Sequence, residues 1–247
     1  MNYQLRKQIL KSSYEAGACH IGSALSCVEI IDAIYDVKKE EDIFLFSKAS
    51  GVCALYCKLF PDKATELIKK YPLPHKEAGL IWSGGSLGMG LSVACGLAIT
   101  DRNRKVYCLI SDGELQEGQT WEAIMFANHH NLNNLMVVVD RNGIQALDFT
   151  ENIIKLEPLQ RKFEFFGWDC DSVDGHNVSE LKRSIQNISP NKPLCVIAQT
   201  IKGKGVDFME DDASWHYKNL YEEGFKKAIL SLDEREIEES KSNPTDW

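Results

Sequence analysis

Asp112 in SDGELQEG and Asn142 in DRNGIQ stand thirty residues apart, each on a turn that follows an apolar run. That separation is close to the length of one βαβ unit, about 30 residues. In a parallel sheet both turns leave at the carboxyl edge, where doubly wound folds bind ligands. A carboxylate and an amide oxygen converging there suit a hard divalent cation such as Mg²⁺, which prefers oxygen ligands and commonly shares them with a phosphate. Gly143 follows Asn142, so the backbone at that turn can offer a carbonyl as well. Asp-Gly and Asn-Gly are also plain turn chemistry. What points to a metal–diphosphate site is DG, EG and DRN falling around a single unit.

Further groups could join that chemistry. The run SGGSLGMGL over residues 83–91 could bring backbone against a phosphate or a ring, or could simply open a tightly packed helix. Lys202 and Lys204 in IKGKG could hold a phosphate; a solvated basic loop is the equal alternative. His20 in GACHIGS and His216 in SWHYK are loop histidines among small or aromatic neighbours. They become site residues once a cofactor lies nearby. His129 and His130 end a helical pattern, where an imidazolium suits the dipole, and His176 in VDGHN reads as a cap or turn residue. Glu114, Glu117 and Glu122 cluster around the first turn of a helix. The dipole favours acids there by about 0.3–1 kcal/mol each, so a surface position accounts for them.

Positioning these residues takes strands that alternate with helices. Buried parallel strands are expected at 105–110, at 135–140 (LMVVVD) and at 194–200 (LCVIAQT), with an extended segment at 168–173. Helical periodicity covers Tyr3–Ala16 and residues 26–36 (with Ser26 as N-cap), 46–59, 63–70, 92–100, 120–130, 158–166, 178–187 and 222–231. The prolines of YPLPHK break the pattern at 71–76, and the charged end, 233–247, reads as a mobile tail. The expected fold class is α/β: one doubly wound, mainly parallel sheet with helices on both faces, spanning residues 1–247 as a single domain.

Bulk properties exclude several functions. The chain has 247 residues, 44% of them hydrophobic and 26% charged, with a net charge of −8. That acidity argues against nucleic acid as the main partner. The N-terminal residues lack a signal peptide's apolar run, and no stretch is long enough to cross a bilayer. Eight cysteines without a CxxC pair read as reduced, buried thiols of a cytoplasmic protein.

In order along the chain, CHIGSALSCVEI, SKASGVCALY, GGSLGMGLSVACGLAI, SDGELQEGQTWEA, VVVDRNGIQ, VDGHN and IKGKGVDFMEDDASWH resemble the N-terminal, thiamine diphosphate-binding domain of transketolase. SDG here stands where the family usually has GDG. The resemblance implies thiamine diphosphate and Mg²⁺ as cofactors. The metal would be held by Asp112, Asn142 and the carbonyl of Ile144. Gly113 matches the backbone donor to the diphosphate, and Gly85 and Leu87 match residues set against the cofactor. Lys202 and His216 match groups that reach the diphosphate and the reaction centre, and His20 matches a histidine of the substrate channel. Glu117 and Glu122 resemble the acids that link paired active sites across a dimer.

The glutamate and aromatics that serve the aminopyrimidine belong, in the family, to the next domain. The resemblance therefore implies a split enzyme whose second, pyrimidine-binding subunit is a separate chain, assembled as a dimer of heterodimers (a heterotetramer). The expected reaction transfers a two-carbon ketol unit from a ketose to an aldehyde acceptor. Ser50 replaces a substrate-site histidine, Ile81 an acid and Tyr217 a glycine, while His75 is out of place for a GHP segment. These departures surround the substrate channel and open two alternatives: an altered donor such as an α-keto acid, or a catalytically degenerate scaffold or regulatory partner.

Overall fold

A computed structural model describes residues 1–70, 85–187 and 189–242, with side chains to 241. His75, Ile81 and the prolines of YPLPHK lie outside the described residues, as does the end of the chain beyond 242.

Among the described residues five parallel strands form the sheet: β1 (Ile43–Phe46), β2 (Val106–Ser111), β3 (Leu135–Arg141), β4 (Asp169–Asp174) and β5 (Leu194–Gln199), in the spatial order β1-β2-β3-β5-β4. The chain steps outward from β1 to β3, crosses to the far edge for β4, and returns to place β5 between them. Strands β2, β3 and β5 carry apolar residues at nearly every position because both faces of the sheet are covered. Tyr107, Leu109, Met136, Val138 and Val196 pack on one side with α1 (Tyr3–Ala16), α3 (Val28–Val37), α4 (Val52–Leu59) and α10 (Val178–Gln186). Cys108, Ile110, Val137, Val139 and Ile197 pack on the other with α6 (Met89–Thr100), α7 (Gly118–His129) and α9 (Leu159–Phe165). The expected α/β class, with helices on both faces, is the observed one.

At the amino edge of the sheet, the Asn134 amide nitrogen lies 2.8–3.1 Å from the carbonyls of Ala98, Asp101 and Arg104. It ties the end of α6 to the start of β2. At the carboxyl edge all five strands release their loops on the same side, which is what gathers distant sequence motifs.

Three expectations require correction. Residues 46–59 are not one helix: IFLF forms β1, and α4 starts only at Val52. Four residues bounded by charged KKEED carry too short a pattern to separate strand from helix, and pairing with β2 decides the matter. Ser26 is not an N-cap. It ends α2 (Ile21–Ser26), and its hydroxyl is buried against Asp140 instead. The last helix, α11, runs Glu222–Ser242, so residues 233–242 are helical rather than a mobile tail. Leu232 is fully buried, and Lys7 of α1 pairs with Asp233 at 2.7 Å and Glu236 at 2.5 Å.

Candidate functional site

The turns after β2 and β3 are stitched together by Asp112. Its Oδ1 accepts the Gly113 N–H at 2.8 Å, and its Oδ2 accepts the Gly143 N–H at 2.6 Å. The Arg141 guanidinium lies 3.2 Å from the same Oδ2 and also reaches Glu151 at 2.8 Å and Glu157 at 3.1 Å. Gly143 sits at φ +74, a left-handed conformation that glycine adopts at little cost. It lets the chain double back so that Asn142 Oδ1 accepts the Ile144 N–H at 3.1 Å, an Asx-type turn. Burial, followed by the nearby Asp140, pushes the Asp112 carboxyl up from its ordinary range, against the pull of Arg141 and the Gly143 N–H. A divalent cation at this point would reverse that balance and keep the carboxylate ionised.

These residues open onto a cavity of about 280 Å³ at the carboxyl edge, lined by His20, Gly85, Leu87, Asp112, Gly113, Asn142, Ile144 and His216 among others. Eight of the eleven site residues that the resemblance implies thus share one space. Lys202 stands directly behind it: its Nζ donates to the Ile144 carbonyl at 3.2 Å and lies 2.7 Å from His216 Nδ1. The IKGKG loop can make this approach because Gly203, at φ +81, passes so close to Met209 that a Cβ there would lie 2.3 Å from the Met209 carbonyl oxygen. Burial and the neighbouring Lys48 lower Lys202 to about 7. The structure does not bring Glu117 into the cavity; it is exposed at the N-cap of α7, and Glu122 is exposed one turn on. Lys204 pairs outward with Glu210 at 3.7 Å.

His20 adopts the left-handed region at φ +63 on entry to α2. Its ring meets those of His216 and Tyr217 edge-on, each at 5.0 Å between centroids. Burial, with Lys202 and Lys48 nearby, lowers His20 to about 4; burial, Lys202 and His20 lower His216 to about 3. Both are therefore neutral imidazoles at pH 7. Ser50 and Tyr217, two of the departures around the substrate channel, line this same cavity.

Several residues escaped the sequence reading. Glu114 is buried rather than a surface acid: it accepts hydrogen bonds from the Ser47 hydroxyl and from the Ser111 and Gly88 N–H groups, and burial raises its pKa. Lys48 and Asp140 form a buried ion pair at 2.6 Å under the cavity. Ser26 and Thr200 donate to the same carboxylate. An acid ending the wholly apolar run LMVVV was the one available signal for a buried charge. His176 lies on a turn, as expected, but its ring does more than close it. It bridges Glu29 at 3.0 Å and the Ile201 N–H at 2.9 Å.

Among the described residues no group of three or more His, Cys, Asp or Glu side chains is placed to hold a metal. The candidate set is one carboxylate, one amide oxygen and one carbonyl. All three are hard oxygen donors, and too few to complete an octahedron. That is the composition expected where Mg²⁺ takes its remaining ligands from water and phosphate, so the residues present fit a metal–diphosphate group.

The family described as "Transketolase, thiamine diphosphate binding domain" matches residues 69–235. The chain is 34% identical over 240 residues to one of the subunits of apulose-4-phosphate transketolase from Actinobacillus succinogenes, covering 86% of this chain and 87% of that one. It is 34% identical over 257 residues to 6-deoxy-6-sulfo-D-fructose transketolase subunit SqwG of Clostridium sp. strain MSTE9, covering 93% and 94%. Human transketolase is 33% identical over 244 residues, but there the match spans only 39% of the longer protein. Among solved structures, transketolase from Campylobacter jejuni superposes with a TM-score of 0.77 at 24% identity over 98% of this chain and 48% of that one. A Pichia stipitis transketolase variant gives 0.79 at 21% identity over 97% and 44%. The chain thus spans about half the length of the solved transketolases it matches.

Proposed function

This chain belongs to the transketolase family, and from that premise we propose that it is the N-terminal, cofactor-binding subunit of a two-chain transketolase. The enzyme would move a two-carbon ketol unit from a ketose to an aldehyde. The observation that carries the reading is the meeting of Asp112, Asn142, the Ile144 carbonyl, His20 and His216 in one cavity. The relatives named as transketolase subunits support it further, because they match over nearly their whole length.

In this reading Asp112, Asn142 and the Ile144 carbonyl hold Mg²⁺, while Gly113 and Lys202 face the diphosphate and Gly85 and Leu87 the rings. Thiamine diphosphate, when bound, supplies the carbanion and electron sink for breaking a carbon–carbon bond next to a carbonyl. The chain's own residues position, shield and move protons. His20 and His216, both neutral, are set to donate hydrogen bonds to the donor's oxygens and to exchange protons there. Lys202, fixed between the Ile144 carbonyl and His216, joins the metal side of the cavity to its proton-transfer side.

A separate chain would supply the pyrimidine-binding half, in a dimer of heterodimers in which Glu117 and Glu122 meet a second copy. Eight free cysteines, most of them buried, are in keeping with a reducing, cytoplasmic setting. Ser50 and Tyr217 on the cavity wall favour a specialised donor, and an α-keto acid is the second reading. Retention of the whole metal set disfavours a degenerate scaffold.

Calorimetry of the two-chain complex with thiamine diphosphate and Mg²⁺ tests the proposal. Saturable, Mg²⁺-dependent binding is expected. Asp112→Ala should weaken it by more than the roughly 10–100-fold typical of disturbed metal surroundings. Unchanged affinity in that variant would remove Asp112 from the metal site, and no binding in the complex would sink the enzyme reading.

A further inference from the structure

His20 needs a restraint that its backbone alone does not give. Its ring forms part of the wall between two spaces: the cavity of about 280 Å³ that contains Asp112 and His216, and a neighbouring one of about 300 Å³ that shares His20, Ala49 and Ser50 with it. Open volume on both sides would let an imidazole rotate and exchange the places of its two nitrogens. Which nitrogen carries the proton is set by what the other one bonds to.

At His20 the partner is the preceding side chain. Cys19 Sγ lies 3.0 Å from His20 Nδ1, and Cys19 itself lines the second cavity. Burial raises the Cys19 pKa, so the group is a thiol with a proton to donate. Across the first cavity the same relation recurs with different chemistry, where Lys202 Nζ lies 2.7 Å from His216 Nδ1. Among the described residues neither Nε2 has a hydrogen-bond partner in the protein.

We propose that Cys19 is a positioning residue for His20: its thiol donates to Nδ1, keeps the ring proton on Nε2 and holds that N–H toward the cavity shared with His216. Two neutral imidazole N–H groups, one set by a thiol and one by a lysine, then converge on a single space. That pairing suits a ligand oxygen that is gaining negative charge, which two preorganised donors stabilise better than water does. The catalytic meaning of this arrangement rests on the transketolase reading, whereas the tautomer does not.

The test reads the tautomer directly, by long-range ¹H–¹⁵N correlation spectra of the full chain labelled at its six histidines, with no cofactor or partner added. The wild-type protein should show His20 protonated at Nε2 only. Cys19→Ala should give a mixture of the two tautomers, and Cys19→Ser, which keeps a donor, should restore the single form. Circular dichroism of each variant separates this effect from loss of fold. A wild-type ring protonated at Nδ1 would overturn the proposal, as would an unchanged tautomer in a folded Cys19→Ala. Because these spectra need no thiamine diphosphate, their outcome stands apart from whether the complex binds it.

Discussion

Lys48 is fully buried and still charged, because Asp140 lies 2.6 Å from its Nζ. Burial works against both charges. The Asp140 carboxylate nevertheless raises Lys48, and Lys48, helped by Ser26 and Thr200, lowers Asp140. Removing one partner leaves the other charge uncompensated in the interior. Lys48→Met should therefore cost about 3–5 kcal/mol in urea denaturation, and Lys48→Met with Asp140→Asn should recover much of it. A double variant no more stable than the single one would mean that Lys48 acts through packing alone. Asp112 and Asn142 were legible in sequence because each comes directly after an apolar strand, where turn residues announce themselves. Lys48 and Glu114 were not. Their partners, Asp140 and Ser47, lie 92 and 67 residues away, a proximity that only the folded sheet creates.

Glu29 is the corresponding junction between elements. From α3 it takes a bidentate grip on Arg6 of α1, at 2.5 and 2.7 Å, and accepts from His176 at the end of β4. Arg6 continues to the Lys204 carbonyl and His176 to the Ile201 N–H, so one carboxylate steadies both sides of the loop that carries Lys202. Burial disfavours the charge, yet the hydrogen bonds from His176 and Arg6 hold Glu29 at about 2 instead of 4.5. A folded value below the unfolded one means that this stabilisation is complete above pH 4.5 and is lost as pH falls toward 2. Glu29→Gln should lower stability by on the order of 3 kcal/mol at pH 7. The gap from wild type should close across that acid window, and a gap independent of pH would remove Glu29 from the linkage. Long elements with a strong period were legible in sequence: Tyr3–Ala16 is α1 to the residue. Strand β1 and the far half of α11 were not. The first is too short to show a period, and the second is so highly charged that its contacts with α1 leave little apolar signal.

The whole molecule leaves apolar side chains exposed on two neighbouring helices, α6 and α7. Leu87 and Met89 are 45% and 37% exposed at the entry to α6, and Met125 and Phe126 are 50% and 41% exposed on the adjacent α7, the helix that Glu117 precedes and that carries the exposed Glu122. Grouped exposed apolar residues of this kind mark interaction surfaces. In the proposed assembly a second copy covers them and brings Glu117 to a site that its own chain does not let it reach. Replacing Met125 and Phe126 together by Asp should shift the complex toward its smaller species in sedimentation velocity, with the circular dichroism unchanged. An unaltered distribution would place the interface elsewhere. No composition or period encodes a partner chain, so that expectation rested on the family resemblance alone.

The all-parallel sheet has one more consequence. Every residue argued to do chemistry leaves a strand at its carboxyl end or sits on a loop packed against that end, while Asn134 fastens the amino edge. Length changes in the loops of the amino edge would therefore be read by the protein as changes of outline rather than of mechanism. Tags, fusions and inherited insertions have room to accumulate on that side, provided the three carbonyls that Asn134 holds stay in place.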